Sequence, residues 1–256
     1  MVRREVLEVA QRILLAVMFA ITLAIAYLIV YALWAPESKS ARSTPVTVTS
    51  TPTRSAIVTP TPTEIPPSPT PTKPPKKIGI VAGHWSANPR RYDPGAVCPD
   101  GLTEVEINLA IAQLVKVLLE NRGCEVDLLE EFDARLDGYQ ADALISIHAD
   151  SCDVPGVSGF KVASVLHSAV PEEEERLVKC LREEYQEATG LSFHEHSITY
   201  DMTEYHAFYE IASQTPGAII ETGFMAADRQ VLLEQQDKVA QGIANGIFCF
   251  LETDPD

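Results

Sequence analysis

Three short apolar runs, far apart in the chain, each end on a side chain that can bind a metal or move a proton. Ala143-Leu144-Ile145-Ser146-Ile147 is nearly unbroken in its hydrophobicity and leads straight into His148. Ile78-Gly79-Ile80-Val81-Ala82-Gly83 leads into His84, and Ala218-Ile219-Ile220 into Glu221. Such runs suit strands buried on both faces of a sheet. Open α/β sheets bind ligands beyond the carboxyl ends of their strands. The pattern predicts a hydrolytic metal site assembled at one sheet edge from remote pieces of chain.

The segments between the runs read as helices and further strands. Thr103 and Glu106 fit a capping box, with Thr at N-cap and Glu at N3. Ile107, Ile111, Leu114 and Leu118 then form a helical apolar stripe, and Gly123 suits the position after the helix end. If Glu106 is occupied in capping, Glu104 is free to point elsewhere. Val126–Leu129 reads as a second strand and Gly159–Leu166 as a fourth, with 143–147 the third between them. Pro171–Thr189 reads as a helix with Pro at N1 and an acidic first turn, Glu172–Glu175, at the positive end of its dipole. A last helix is expected from Asp228 to Leu251. Alternating strands and helices without internal repeats predict an α/β layered domain, with a twisted, largely parallel sheet flanked by helices.

That domain accounts for residues 76–256. Ahead of it, residues 13–34 run for 22 residues without a charge, long enough to cross a bilayer as a helix. Arg3, Arg4 and Arg12 precede this stretch, which favours a cytoplasmic N-terminus over residues 1–12. A cleaved signal peptide is the competing reading, but its apolar core spans roughly 7–15 residues. This one is longer and ends at Tyr31-Ala32-Leu33-Trp34, so a retained anchor is expected. Residues 35–75 turn to Thr, Pro and Ser, as in Pro66-Pro67-Ser68-Pro69-Thr70-Pro71, which build no core and form a stiff, solvated linker. The expected location is the cell membrane, single-pass, with the folded domain extracytoplasmic. The folded part holds 32 acidic against 13 basic side chains, which argues against nucleic acid as a partner.

The five cysteines form no Cys-x-x-Cys pair and are too few for a disulfide scaffold. Cys98 and Cys152 fall in loops expected beside the site, where a bridge is one option. An odd number leaves at least one unpaired within the chain, and the redox state stays open.

Zn²⁺ in hydrolases commonly takes three protein ligands and a water, with His2Glu a known set. His84, Glu104 and His148 supply that set as metal ligands, and Glu221 supplies a catalytic acid/base. Plain surface or hydrogen-bonding roles compete for each histidine. His194 and His196 would share a strand face, but without a third ligand they read as solvated. His167 and His206 read as surface residues or as supports behind the site. The Tyr205–Tyr209 aromatics and Phe224 read as core before sugar platform, Trp85 as either groove or loop packing, and Asp150 as a group that could orient a ligand histidine.

Four pieces, in order along the chain, carry a resemblance: Ile80-Val81-Ala82-Gly83-His84, Leu102-Thr103-Glu104-Val105-Glu106-Ile107-Asn108-Leu109, Ser146-Ile147-His148-Ala149-Asp150 and Glu221-Thr222-Gly223-Phe224. Over residues 78–251 the chain resembles the zinc-dependent N-acetylmuramoyl-L-alanine amidases of the Amidase_3 type, which cleave peptidoglycan. The resemblance implies zinc on His84, Glu104 and His148, a catalytic Glu221, and peptidoglycan as substrate. It departs from the family pattern at Trp85-Ser86, at Asp150, and over Asp133–Gln140, where an Arg-rich helix is compressed. Two other readings stay open: a non-catalytic peptidoglycan-binding or sensing module, and a zinc peptidase or deacylase acting on another amide. The sequence names no activator protein.

Overall fold

A computed structural model describes residues 74–253. The expected cytoplasmic stretch 1–12, the apolar span 13–34 and nearly all of the linker 35–75 lie outside the described residues. Among the described residues, no helix is long and apolar enough to cross a membrane.

The elements follow in the order β1 (Lys77–Ala82), α1 (Glu104–Asn121), β2 (Glu125–Leu129), β3 (Ala143–Asp150), β4 (Lys161–Ala163), α2 (Pro171–Thr189), α3 (Tyr200–Thr203), α4 (Ala207–Glu210), β5 (Gly217–Phe224), α5 (Arg229–Glu234) and α6 (Gln236–Glu252). They form one five-stranded sheet in the order β2-β1-β3-β5-β4. Strands β2, β1, β3 and β5 are parallel, and β4 runs antiparallel to β5 at the edge. The mixed α/β layers and the largely parallel sheet are those expected.

The two faces of the sheet are covered differently. Ile78, Ile80, Ala82, Ile145, Ile147 and Ile220 pack with the long helices α1, α2 and α6 in one large buried cluster. On the opposite face Val81, Leu129, Leu144 and Ile219 meet Leu136, Tyr139, Met202, Tyr205 and Ile211, which come from short turns and loops. Strand side chains alternate between the two clusters because the pleat has a period of two. Helix α1 starts with the expected capping box, the Glu106 carboxylate accepting from the Thr103 amide (3.1 Å) and hydroxyl (2.8 Å). Gly123, at φ 89°, follows its end. Helices α2 and α6 pack closely through glycine: a Cβ on Gly246 would lie 2.7 Å from Leu181 Cα.

Three expectations need correction. The fourth strand shrinks from 159–166 to Lys161–Ala163. Its leading residue, Phe160, bonds instead to the 192–194 segment, accepting from the His194 amide (2.8 Å) and donating to the Ser192 carbonyl (3.0 Å). The last helix breaks at Gln235 (φ −129°) into α5 and α6. Leu232 and Val239 are both buried seven residues apart, but the positions three and four residues after Leu232 are the polar Gln235 and Gln236, so an unbroken helix would present no apolar side chain there. His194 and His196 lie at a 3-10 turn, Glu195–Ser197, rather than on a strand.

Two disulfides staple the fold, Cys98–Cys152 and Cys180–Cys249, with Cα–Cα separations of 5.4 and 5.7 Å. The first joins the loop before α1 to the loop after β3, and the second ties α2 to α6. Cys124 carries a free thiol.

Candidate active site

His84, Glu104 and His148 meet at the carboxyl edge of the sheet. One ligand atom from each lies within 4.8 Å of the others. His84 follows β1 by two residues, in a left-handed conformation (φ 62°) that turns it back toward the edge. Glu104 is the first residue of α1, buried, and released from capping by Glu106 as the sequence suggested. His148 sits on β3, on the face that the short turns cover. Gly83 lies flat against its ring: a Cβ there would come within 2.4 to 2.6 Å of three imidazole atoms. On the adjacent strand β5, Glu221 is the register partner of His148. All four predicted site residues are therefore brought to one place.

The Glu104 carboxylate stands between the two imidazoles. Its Oε1 lies 3.1 Å from His148 Nδ1, and its Oε2 lies 3.3 Å from His84 Nε2. It also accepts from the amides of Ala149 (3.3 Å) and Ala96 (3.0 Å) and from Asn108 Nδ2 (3.1 Å). Burial would raise its pKa, but the two histidines overcome this and hold it well below the usual carboxylate range. For His84, burial acts downward, and Glu104, Asp93 and Glu131 outweigh it to push the imidazole up to about 9. His148 is raised by the same contest, burial against its carboxylate neighbours. Burial pushes Glu221 up to about 7, with His148 opposing the rise and Glu104 and Asp150 adding to it. Its Oε2 is sealed from solvent without a hydrogen-bond partner.

The donor set fits a divalent cation such as zinc. It offers two imidazole nitrogens and a carboxylate oxygen, the number and chemistry of a three-ligand hydrolytic zinc site. A cation would also neutralise carboxylates that the fold gathers here out of water. The site opens into a cleft of about 430 Å³ whose walls include Glu131, Met202, Tyr205 and Glu221.

Sequence reasoning missed Glu131. Only 7% exposed, it follows β2 at the same sheet edge. Its Oε2 accepts from the His84 amide (2.8 Å), and its Oε1 accepts from Tyr205 (2.9 Å) and His206 (3.0 Å). A signal was present, because Leu128-Leu129-Glu130-Glu131 repeats the pattern of an apolar run ending on a functional side chain. His206 accordingly stands behind the site, while His167 and His196 are exposed. His194 Nδ1 pairs with Ser197 Oγ at 2.6 Å. Phe224 and Tyr205 are core, as expected, but Tyr209 is 60% exposed. Asp150 orients no histidine; it pairs with the buried Lys161 of β4. Trp85 is half-buried against the helical core.

Fold and geometry together place a candidate hydrolytic centre at the carboxyl edge of an α/β sheet. The family model for N-acetylmuramoyl-L-alanine amidases, Amidase_3, matches residues 78–249, two thirds of the chain, and the protein belongs to that family. Its reaction is hydrolysis of the amide between N-acetylmuramic acid and L-alanine in peptidoglycan. Among solved structures, N-acetylmuramoyl-L-alanine amidase AmiC2 of Nostoc punctiforme is 26% identical, with a TM-score of 0.53, over 69% of this chain and 97% of its own. The fold is shared with Ami1 of Mycobacterium smegmatis (20% identity, TM-score 0.58, 71% of this chain and 99% of its own). It is shared also with the CwlD amidase of Clostridioides difficile, solved in complex with the GerS lipoprotein (23%, 0.54, 70% and 100%). No match is found among curated protein sequences.

Proposed function

We propose that the amidase is zinc-dependent, that His84, Glu104 and His148 hold the ion, and that Glu221 is the catalytic acid/base. The observation that carries this reading is the meeting of those three donors, from three remote segments, with Glu221 on the neighbouring strand. Zinc so bound supplies a Lewis acid for the scissile carbonyl and lowers the pKa of water to near neutrality. Glu221, which burial raises to about 7 in the metal-free site, would accept a proton from the attacking water and return it to the departing amine of L-alanine. The Glu104 carboxylate reaches a nitrogen of each imidazole, and Thr222 ties β5 to β3 by donating to the His148 carbonyl (2.8 Å).

The chain acts, in this reading, outside the cell membrane, held by residues 13–34 and reaching the wall through the 35–75 linker. The uncharged 22-residue run and the two disulfides, which persist in oxidising compartments, support it. The full-length protein in detergent should release stem peptides from purified peptidoglycan, lose this activity on treatment with a chelator, and regain it with zinc. Persistence of full activity in metal-stripped protein would refute the zinc assignment.

A further inference from the structure

Each histidine of the site turns one ring nitrogen toward Glu104 and the other toward a second carboxylate. His84 turns Nε2 toward Glu104 and Nδ1 toward a second carboxylate, Asp93, at 2.9 Å. His148 turns Nδ1 toward Glu104, and its Nε2 is buried without a hydrogen bond. The carboxylate beside that nitrogen is Glu131, whose Oε2 lies 3.5 Å away. Histidines that bind metals commonly donate the second ring N–H to a carboxylate, which sets the tautomer and the ring orientation.

Glu131 is itself held firmly. Tyr205 and His206 both donate to Oε1, Ser146 donates onward to the Tyr205 hydroxyl (2.9 Å), and Glu210 lies 2.8 Å from the far nitrogen of His206. Its Oε2 also takes the backbone N–H of His84, and its own amide donates to the Trp85 carbonyl (3.0 Å). The left-handed turn at His84 is thus pinned on both sides by one residue. We propose that Glu131 is the positioning residue of the metal site, holding His84 through its backbone and His148 through its ring. This rests on the zinc reading of His84, Glu104 and His148.

The test compares zinc affinity, by competition with a chromophoric chelator, in full-length wild type, Glu131→Ala and Glu131→Gln. Metal-free melting temperature is measured alongside. Glu131→Ala should weaken zinc binding by about 10- to 100-fold. Glu131→Gln, which can still accept the His84 N–H, should fall between the two. Cobalt-substituted Glu131→Gln should show a displaced visible absorption band. A purely structural role would lower the metal-free melting temperature and leave the affinity of the folded protein unchanged. If Glu131→Ala does not fold, Tyr205→Phe serves: removing one donor to Glu131 should weaken zinc binding about fivefold. Zinc affinity within twofold of wild type in the folded variants overturns the proposal alone. A wild type with no zinc affinity overturns the zinc reading and this proposal with it.

Discussion

The two faces of the sheet differ in how they are built and in what they do. One is covered by three helices of 17 to 19 residues, stapled by Cys180–Cys249 and closely packed at Gly242 and Gly246. The other is covered by 3-10 turns, two four-residue helices and loops. The first face holds Leu181, Tyr185 and Ile243 out of water and supplies most of the buried apolar side chains. The second face carries His148, Glu221, Tyr205 and Glu131. Close packing resists polar groups unless each is partnered, whereas loops can supply partners at any angle. The large apolar core and the candidate site thereby lie on opposite sides of the same strands, with Glu104 and Asn108 of α1 reaching the site from the helical side.

This division makes sharp predictions. The largest effect is expected on the loop-covered face, where Glu221→Ala should cut turnover by about 10²- to 10⁴-fold. Its zinc content and melting temperature should stay near wild type. A muropeptide digest that proceeds at the wild-type rate would remove Glu221 from the mechanism. On the helical face the order reverses: Leu181→Ala should cost about 2–5 kcal/mol in denaturant unfolding, with zinc affinity of the folded protein unchanged. Metal loss there would show that the faces are coupled. Gly83→Ala tests the seam between strand and site. Its methyl cannot clear the His148 ring, so bound zinc, measured by atomic absorption, should fall well before unfolding does.

The smallest effect concerns pH. In metal-free protein the raised pKa of His84, about 9 against 6.5, means that its contribution to stability is complete below pH 6.5 and lost as pH rises through 9. His148 acts in the same direction. The metal-free melting temperature should therefore decline between pH 6.5 and 9. A melting temperature that rises over that interval would contradict the ion-pair geometry around Glu104.

Much of the helical face was legible in advance. Ile107 and Ile111 recur at helical spacing, Thr103 and Glu106 mark a start, and Pro171 opens a second helix, because these signals act within a few residues. The apolar runs that end in His84, His148 and Glu221 were legible for the same reason. Glu131 was not singled out, since its meaning depends on His84, His148, Tyr205 and His206, up to 75 residues away. The break at Gln235 and the short β4 likewise follow from competition for burial and backbone partners. The pairing of Asp150 with Lys161, rather than with a histidine, depends on β4 joining the edge of the sheet beside β5.

By itself the sequence determined the layered α/β class, the four residues at the sheet edge and the family, because strand length, capping and motif are local properties. Which cysteines pair, which carboxylate stands behind each imidazole, and which face carries the cleft were decided only by tertiary structure. Those choices depend on distances between segments that local preferences do not encode and that packing alone brings within a few ångströms.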